Sequence, residues 1–334
     1  CVRTARHLDG DAKTARELAL LDRNQRRFNR FIFGSRFIAD RCAVCRLCHP
    51  RDGRLSHLAK AMVTAANRLS EALHNWADWN LIAPLAAAPR LGPVLSEGSG
   101  HILFELLDEP SLVARVRRRP TSEVEGAFSG EVEIWSAAAA AGIAPALVYV
   151  DRQQQAVICE RAGQTSHPIT GAALGQLMCA IHTLPKVNRR LTLRADAVSY
   201  LSSVPAEQHS AWQAIVHSTD IDQAFSLLEQ DTDYLCHNDL TVGNLLTQGD
   251  QLFAIDWEYA AMGSRYFDVA IAMADLPLVE QPLLAERVLG QSLSNALLTA
   301  GCNIAALMTA LWQHRFDPSQ APDPRNDLSW LPRQ

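Results

Sequence analysis

The chain contains 334 residues, of which 48% are apolar and 20% are charged, and its formal net charge is −5. This composition is typical of a globular protein with a sizeable core, and it excludes intrinsic disorder and a collagen-like chain. The most apolar stretch, 137–150, is interrupted by Gly142 and Pro145, and no uninterrupted apolar run approaches the length of a membrane-spanning helix. No apolar run follows the basic residues near the N-terminus, so we expect a cytoplasmic protein without a membrane span.

The charge is distributed unevenly along the chain. Residues 1–60 hold 14 Lys or Arg against 6 Asp or Glu, a balance of +8, whereas the remainder has a balance of −13. The first methionine, Met62, lies at this change of composition. We therefore interpret residues 1–61 as an Arg-rich segment that is disordered or is an upstream, mis-translated extension. The alternative is a basic arm that binds nucleic acid or another anionic surface, although we expect no nucleic-acid partner.

Most of the eight cysteines fall into two groups. Cys42, Cys45, Cys48 and His49 form a C-x-x-C-x-x-C-H run, which contains a haem-attachment pattern and thiolates of the kind that bind zinc or an iron–sulfur cluster. One short segment cannot easily close a tetrahedral shell, and haem attachment requires export, so we do not expect this cluster to bind either group. The later cysteines are scattered among apolar neighbours, which predicts reduced core residues. They are Cys159, Cys179, Cys236 and Cys302.

Beyond Met62 the chain opens with a helical pattern over 63–76 and continues with short runs of β-branched and apolar residues. Turn compositions at 96–100 and 108–110 separate three of these runs, and this alternation predicts an antiparallel meander. The three predicted strands are 94–95, 101–107 and 112–116.

An alanine-rich segment without helix breakers predicts a helix over 131–141, which the following Gly142 and Pro145 end. Two more strands are predicted at 146–150 and 156–160, and they complete a five-stranded sheet with one helix. From Ala172 onward the apolar residues have helical spacing, interrupted only between Tyr234 and Ile255 by short strand-like runs.

The segment after Tyr234 carries the clearest chemical signal. It contains an H-x-D-x-x-x-x-N run from His237 through Asp239 to Asn244, and Asp256 ends an apolar run twelve residues later. This is the layout of a kinase catalytic loop and its metal-binding aspartate. Phosphoryl transfer needs a carboxylate that accepts the proton of the attacking hydroxyl, which fits Asp239, and oxygen ligands for Mg²⁺, which fits Asn244 and Asp256. We assign His237 to structural support of the loop.

These residues resemble those of the choline kinase and aminoglycoside phosphotransferase superfamily. The resemblance rests on the His237-Asn238-Asp239 form, on the Ile-Asp-Trp-Glu-Tyr run at 255–259 and on the Tyr-Phe-Asp-Val-Ala run at 266–270. These runs look most like those of choline, ethanolamine and thiamine kinases. The resemblance spans about residues 91–312.

The resemblance implies an α+β, protein-kinase-like fold with two lobes. The implied N-terminal lobe, 62–162, contains the antiparallel β-sheet and one helix and binds the nucleotide. The implied C-terminal lobe, 163–334, is mainly helical and carries the catalytic and substrate residues. The segment 157–162 is the implied hinge, where backbone groups meet adenine.

The resemblance also implies a set of nucleotide-binding residues. Gly98, Ser99 and Gly100 lie where the superfamily has its phosphate-covering loop, since small residues let backbone N–H groups approach the phosphates. The run 113–116 resembles the strand that carries the phosphate-pairing cation in the superfamily, which implies this role for Arg115 and implies Glu131 on the following helix as its partner. Neighbouring charged residues fit surface positions better and are weaker candidates for these roles. They are Arg117, Arg118, Arg119 and Glu133.

The substrate is harder to predict. A quaternary ammonium or thiazolium acceptor favours aromatic faces and nearby carboxylates, which makes Trp257, Glu258, Tyr259 and Trp312 candidates, with the core as the alternative position of Trp312. The expected activity is an ATP- and Mg²⁺-dependent kinase of a small cationic alcohol of the choline, ethanolamine or thiamine type. The alternatives are an aminoglycoside-type phosphotransferase and a catalytically silent, nucleotide-binding regulator.

Overall fold

The computed structural model describes residues 64–98, 100–118, 125–164, 168–249, 251–290 and 295–325. The Arg-rich segment 1–61, the cysteine cluster within it and Ser99 therefore lie outside the described residues. A helix, α1, spans residues 64–74, close to the predicted helical opening, and a short 3-10 helix follows at Trp76–Asp78.

Five strands form one antiparallel sheet, as predicted. Their order across the sheet is β1-β2-β3-β5-β4, and every neighbouring pair is antiparallel. The strands are β1 (Leu91–Glu97), β2 (His101–Leu106), β3 (Leu112–Arg117), β4 (Leu147–Asp151) and β5 (Ala156–Glu160). Ser96 and Glu97 belong to β1 rather than to a turn, because they pair with Leu103 and Ile102 of β2.

The two faces of this sheet bury different side chains, since successive residues of a strand point to opposite faces. Ala114 and Val116 of β3 pack into the same apolar cluster as Leu69 of α1, on the outer face. Val113 packs on the inner face against the helix α2, which spans Glu125–Ala140. The inner face is therefore the one that presents Arg115 and other odd-numbered residues of β3 to α2.

The remainder of the described chain is mainly helical. Seven helices follow the sheet: α3 (Gly171–His182), α4 (Leu193–Leu201), α5 (His209–Val216), α6 (Thr219–Leu228), α7 (Arg265–Met273), α8 (Gln281–Leu289) and α9 (Ala296–Phe316). Short strands lie between them: β6 (Gly163–Gln164), β7 (Tyr234–Cys236), β8 (Leu245–Gln248), β9 (Gln251–Ala254) and β10 (Ala261–Gly263). β6, β8 and β9 form one small sheet, and β7 pairs with β10 in another.

One helix among the described residues, α9, is long and apolar enough to cross a membrane by length and composition alone. The search for uninterrupted apolar runs missed it, because Asn303 and Gln313 break the run. α9 packs against α4, α6 and α7, and 61% of its most apolar window is buried within the protein. Since core helices pass the same test, α9 is weak evidence for a membrane span.

The four later cysteines are free thiols, as predicted. Cys159 and Cys236 are buried, whereas Cys179 and Cys302 are partly buried and pack against the core. Burial raises the pKa of Cys159 to about 12, so this side chain stays protonated at neutral pH.

Candidate functional site

A hairpin brings the two predicted metal ligands side by side. β8 and β9 pair through Leu245 and Ala254, so that Asn244 lies just before one strand and Asp256 lies two residues after the end of the other. The Ile255 N–H donates a hydrogen bond of 3.0 Å to the Asn244 carbonyl oxygen, which extends the pairing by one more step. Residues twelve positions apart in sequence thus meet at one end of the hairpin.

The side chain of Asp239 is fixed by Asn244. The Asn244 amide nitrogen donates to both the Oδ2 atom and the carbonyl oxygen of Asp239, each at 2.8 Å. This orientation of the amide leaves the Asn244 Oδ1 atom available as an oxygen ligand. The spacing of the motif therefore places a half-buried carboxylate next to an amide oxygen, as the chemistry of phosphoryl transfer requires.

His237 lies beneath the loop and is completely buried. Its Nε2 atom donates to the Ile255 carbonyl oxygen at 3.0 Å, and its ring packs at 4.8 Å from the ring of Trp257. Burial lowers the pKa of His237 and favours the neutral imidazole. These contacts link the catalytic loop to the segment that carries Asp256.

Asp268, on α7, anchors the same loop and has no assigned role in the sequence analysis. It is fully buried, and its carboxylate accepts hydrogen bonds from the backbone N–H groups of His237 at 3.3 Å and Asn238 at 2.7 Å. His182 of α3 contacts the same carboxylate at 2.8 Å. The available signal was an Asp within an otherwise apolar, helical run, because a charge is buried only when it is paired.

Arg115 joins the sheet, α2 and the catalytic segment. Its guanidinium donates to Glu131 Oε1 and to Asp256 Oδ1, both at 2.6 Å, and it contacts the Nδ1 atom of His101 at 3.0 Å. Burial alone lowers the pKa of Arg115, but the negative charges of Glu131 and Asp256 outweigh it and raise the pKa on balance. The predicted pair of Arg115 and Glu131 is thus present, and it lies against Asp256.

Arg117 is not the solvated surface residue that the sequence analysis expected. Only 12% of its side chain is exposed, and its guanidinium lies 3.3 Å from Glu131 Oε2 and 3.9 Å from Glu258 Oε2. The period of two in a strand explains the error, because it turns the side chains of Arg115 and Arg117 to the same buried face. Glu133, on the other hand, is exposed, as its assignment to the surface required.

Asp256 and Glu258 carry two carboxylates next to a buried histidine. One ligand atom from each of His101, Asp256 and Glu258 lies within 4.8 Å of the others. Burial and the charge of Asp256 raise the pKa of Glu258 to about 7. Because a guanidinium can only donate hydrogen bonds, the Nδ1 atom of His101 accepts from Arg115, and the imidazole is neutral. Burial and the nearby charge of Arg115 lower the pKa of His101, which also favours the neutral form. The carboxylate of Asp256 and the amide of Asn244 offer the oxygen atoms that Mg²⁺ prefers.

Gly98 and Gly100 form the turn between β1 and β2, above this cluster. The Gly98 N–H donates to the carbonyl oxygen of His101 at 2.9 Å, which closes the turn. A Cβ atom on Gly100 would lie 3.0 Å from Glu258 Oε2, so a side chain at this position would press on that carboxylate. The absence of a side chain lets the turn approach the acidic residues closely.

The prediction that Trp257 contacts the substrate is wrong. Its side chain is completely buried, its Nε1 atom donates to the Ala254 carbonyl oxygen at 3.2 Å, and its ring lies against His237. A residue whose whole surface is covered by the protein cannot contact a small molecule in the site. Trp257 therefore belongs to the core beneath the catalytic loop.

The remaining aromatic candidates meet on the other side of the loop. The Trp312 Nε1 atom of α9 donates to the Tyr259 hydroxyl at 3.4 Å, and both residues are half-buried. The ring of Phe316 lies 5.1 Å from that of Trp312. Burial raises the pKa of Tyr259, so the hydroxyl stays protonated. Trp312 therefore lies at the edge of the core, partly exposed and in contact with Tyr259.

The chain belongs to the phosphotransferase enzyme family, since residues 95–300, more than half of its length, match that family (APH). Protein LicA of Haemophilus influenzae is 44% identical over 46 residues, which are 14% of this chain and 17% of that relative. The chain thus matches only about one sixth of the length of this curated relative. The family membership confirms the predicted superfamily.

Solved structures share the fold. The crystal structure of choline kinase LicA from Streptococcus pneumoniae has a TM-score of 0.57 and 14% identity, covering 80% of this chain and 93% of that chain. The streptomycin-ATP-APH(2")-IIa ternary complex has a TM-score of 0.54 and 13% identity, covering 79% of this chain and 97% of that chain. At these identities the similarity establishes the fold alone. The predicted α+β, kinase-like fold is confirmed.

Proposed function

We propose that this protein is an ATP- and Mg²⁺-dependent kinase that transfers the γ-phosphate of ATP to the hydroxyl of a small cationic alcohol. The observation that carries this proposal is the position of Arg115, which pairs with Glu131 on one side and with Asp256 on the other. A cation held between a helix carboxylate and the metal-binding aspartate is the arrangement that orients nucleotide phosphates in kinases. Because the reaction consumes ATP, we place the protein in the cytoplasm.

Asp239 is the residue that we assign to the proton of the acceptor hydroxyl. Its carboxylate is oriented by the Asn244 amide, which donates to the Oδ2 atom. As the hydroxyl oxygen forms its bond to the γ-phosphorus and the bond to the β,γ-bridging oxygen breaks, the hydroxyl proton passes to this carboxylate.

Asn244 and Asp256 are the residues that would hold Mg²⁺, which when bound neutralises charge on the transferred phosphoryl group. Arg115 contributes a permanent positive charge next to Asp256, which attracts the phosphates. The glycines of the β1–β2 turn carry no side chain that would keep phosphate oxygens away from the backbone of the turn. These residues orient the nucleotide, and Asp239 acts on the acceptor.

The proposed acceptor site is lined by aromatic rings and a carboxylate. Tyr259 and Trp312 are in contact, and Tyr200 of α4 lies near enough to Tyr259 to add to the rise in its pKa that burial and the charge of Glu258 cause. Asp196 lies one helical turn before Tyr200, and it interacts electrostatically with that residue. Aromatic faces with a nearby carboxylate favour a cationic ligand such as choline, ethanolamine or thiamine. The similarity of the fold to choline kinase LicA from Streptococcus pneumoniae supports choline within this class.

An aminoglycoside acceptor is the second candidate. The streptomycin complex of APH(2")-IIa has the same fold, and polyamine substrates also favour acidic surroundings. A silent nucleotide-binding regulator is the third candidate. The presence of Asp239, Asn244 and Asp256 together disfavours it, since loss of one of these residues is the expected mark of an inactive relative.

The test is ADP release from ATP and Mg²⁺ across a panel of choline, ethanolamine, thiamine, streptomycin and gentamicin. We expect ADP release that depends on one of the first three acceptors, with the phosphorylated alcohol identified by mass spectrometry. Release that depends only on streptomycin or gentamicin would select the aminoglycoside function. Nucleotide binding without acceptor-dependent release would select the silent regulator.

Asp239→Asn provides the mechanistic control for the same assay. It should lower kcat by a factor on the order of 10² or more, with nucleotide affinity nearly unchanged, because it removes a proton acceptor that acts in the transition state. The matched variant is Asp233→Asn, which changes an aspartate with 76% of its side chain exposed and should keep full activity. Near-native turnover of Asp239→Asn would refute the assigned role.

A further inference from the structure

Two arginines, rather than one, hold the buried carboxylate of Glu131. Arg115 contacts its Oε1 atom at 2.6 Å, and Arg117 contacts its Oε2 atom at 3.3 Å. Glu131 is completely buried, so both oxygens face protein atoms. If one arginine were removed, water could reach the freed oxygen only if α2 and the sheet moved apart.

The positions of these residues follow from the periods of the two elements. Arg115 and Arg117 are two residues apart in β3 and therefore share one face of the strand. Phe128, Glu131 and Trp135 are three and four residues apart in α2 and therefore share one face of the helix. The guanidinium of Arg115 lies 5.4 Å from the Trp135 ring, and that of Arg117 lies 6.0 Å from the Phe128 ring. Each arginine thus has its own aromatic neighbour and its own oxygen.

The charges of this group differ from those of a simple ion pair. One arginine and one glutamate cancel, whereas Arg115, Glu131 and Arg117 together keep one positive charge. That charge faces Asp256, next to Arg115, and Glu258, 3.9 Å from Arg117, on the side where the nucleotide phosphates are proposed to bind. A carboxylate held at both oxygens also cannot rotate freely, so the direction in which it pulls Arg115 is fixed.

We propose that Arg117 is a positioning residue for the nucleotide phosphates. It holds the Oε2 atom of Glu131 and thereby fixes the carboxylate that orients Arg115. This role rests on the proposed function, because it assumes that Arg115 binds phosphate. Arg117 acts through Glu131 and Arg115 and makes no contact of its own with the substrate.

The test compares the binding of MgATP and of adenosine, measured by calorimetry, in variants of the full chain. Adenosine lacks phosphates, so a positioning role predicts an effect on MgATP alone. Arg117→Gln should weaken MgATP binding roughly tenfold, within the range of coupling between residues that share one charged network, with adenosine binding unchanged. The matched control is Arg118→Gln, which changes the next arginine, paired with Glu97 outside the cluster, and should bind both ligands normally.

A double-mutant cycle with Glu131→Gln tests the path of the effect. Once the Glu131 charge is removed, Arg117→Gln should change MgATP affinity by less than about twofold, because the contact that it acts through is gone. An undiminished effect of Arg117→Gln in that background would overturn the proposed path. If Arg117→Gln does not fold, Arg117→Lys decides, because a lysine cannot reproduce the planar fork and should bind MgATP more weakly than the wild type.

The outcomes separate this proposal from the function on which it rests. Wild-type protein that binds no MgATP would overturn both. Wild-type protein that binds MgATP, with Arg117→Gln and Arg117→Lys binding it equally well, would overturn the role of Arg117 alone. Equal losses of MgATP and adenosine affinity in Arg117→Gln would also overturn it, since they would indicate a general change in the site.

Discussion

Asp256 combines a charged ligand with an uncommon backbone conformation. Its φ and ψ are both 65°, in the left-handed region that Asp and Asn tolerate better than most residues. Asp256→Asn should therefore keep the backbone while it removes the charge that pairs with Arg115 and is proposed to bind the metal. We expect MgATP affinity to fall by one to two orders of magnitude, since a dication loses its charged ligand. Titration of MgATP binding at several Mg²⁺ concentrations measures this effect.

Adenosine binding provides the control for Asp256→Asn, because it depends on neither metal nor phosphate. It should remain close to that of the wild type. An unchanged dependence of MgATP binding on Mg²⁺ would exclude Asp256 as a metal ligand.

His237 makes the fold sensitive to acid. Burial lowers its pKa in the folded protein below the value of 6.5 that it has when unfolded. The unfolded chain therefore binds a proton that the folded chain does not, and stability is lost as the pH falls below about 6.5, by up to about 1.4 kcal/mol per pH unit. His237→Gln should lower stability at pH 7.5 but reduce the further loss between pH 7.5 and pH 5.5.

Thermal unfolding at the two pH values measures this difference. His217→Gln is the matched control, since His217 is exposed and its replacement should leave the pH dependence of the wild type. If His237→Gln retains the full loss of stability between pH 7.5 and pH 5.5, another group carries the acid sensitivity.

For single residues, the positions that depend on nearby sequence could be predicted from the sequence, whereas the burial of a side chain could not. The proximity of Asp239, Asn244 and Asp256 was predictable because the motif spacing and the hairpin that aligns it are both local in sequence. Arg117 and Trp257 were misplaced because their surroundings depend on α2 and on the loop above, which no local pattern specifies.

At the scale of elements, α9 packs so closely on α7 that a side chain at Gly301 should destabilise the fold. A Cβ atom on Gly301 would lie 2.4 Å from the Tyr266 carbonyl oxygen, far inside contact distance. Because this neighbour is backbone, it can move only if the two helices separate. Gly301→Ala should therefore destabilise the fold by about 1–3 kcal/mol, as overpacking of a core does. Urea unfolding measures the change.

Gly130 in α2 offers a matched control for Gly301→Ala. A Cβ atom there would meet only the Arg189 side chain, at 3.8 Å, which is an ordinary contact. Gly130→Ala should stabilise the protein by about 0.5–1 kcal/mol, because alanine loses less backbone entropy in a helix. If both substitutions have the same effect, helix propensity rather than the contact with Tyr266 decides the outcome at Gly301.

Element types and order were predictable, while several boundaries were not. The strands were found because alternating apolar residues and turn compositions are local signals. α2 begins at Glu125, six residues before the predicted start, although Gly126, Ser129 and Gly130 lower its helix propensity. Phe128 is buried in the core, so tertiary packing supplies what the local sequence lacks.

The buried apolar residues of the described part of the chain form two clusters. One cluster runs from Val113 and α2 through the helices to Leu311, so the inner face of the sheet and the helical part have a common core. The other covers the outer face of the sheet and includes Leu69 of α1 and Trp79. The first cluster should make the two parts unfold together, whereas the second depends on α1 and on Trp79.

The outer cluster sets a limit to what can be removed from the N-terminus. A chain that begins at Met62 keeps α1 and Trp79 and should have the thermal stability and nucleotide affinity of the full chain. A chain that begins at Asn80 loses Leu69 and Trp79, which are 0% and 6% exposed. Burial of each large apolar side chain contributes about 1.5–3 kcal/mol, so the shorter chain should melt about 10 °C lower or fail to remain in solution. Calorimetric melting of the three proteins measures this. A lower melting temperature of the chain that begins at Met62 would show that residues 1–61 also contribute to stability. Equal melting temperatures of the two truncated chains would show that α1 and Trp79 are not needed to cover the sheet.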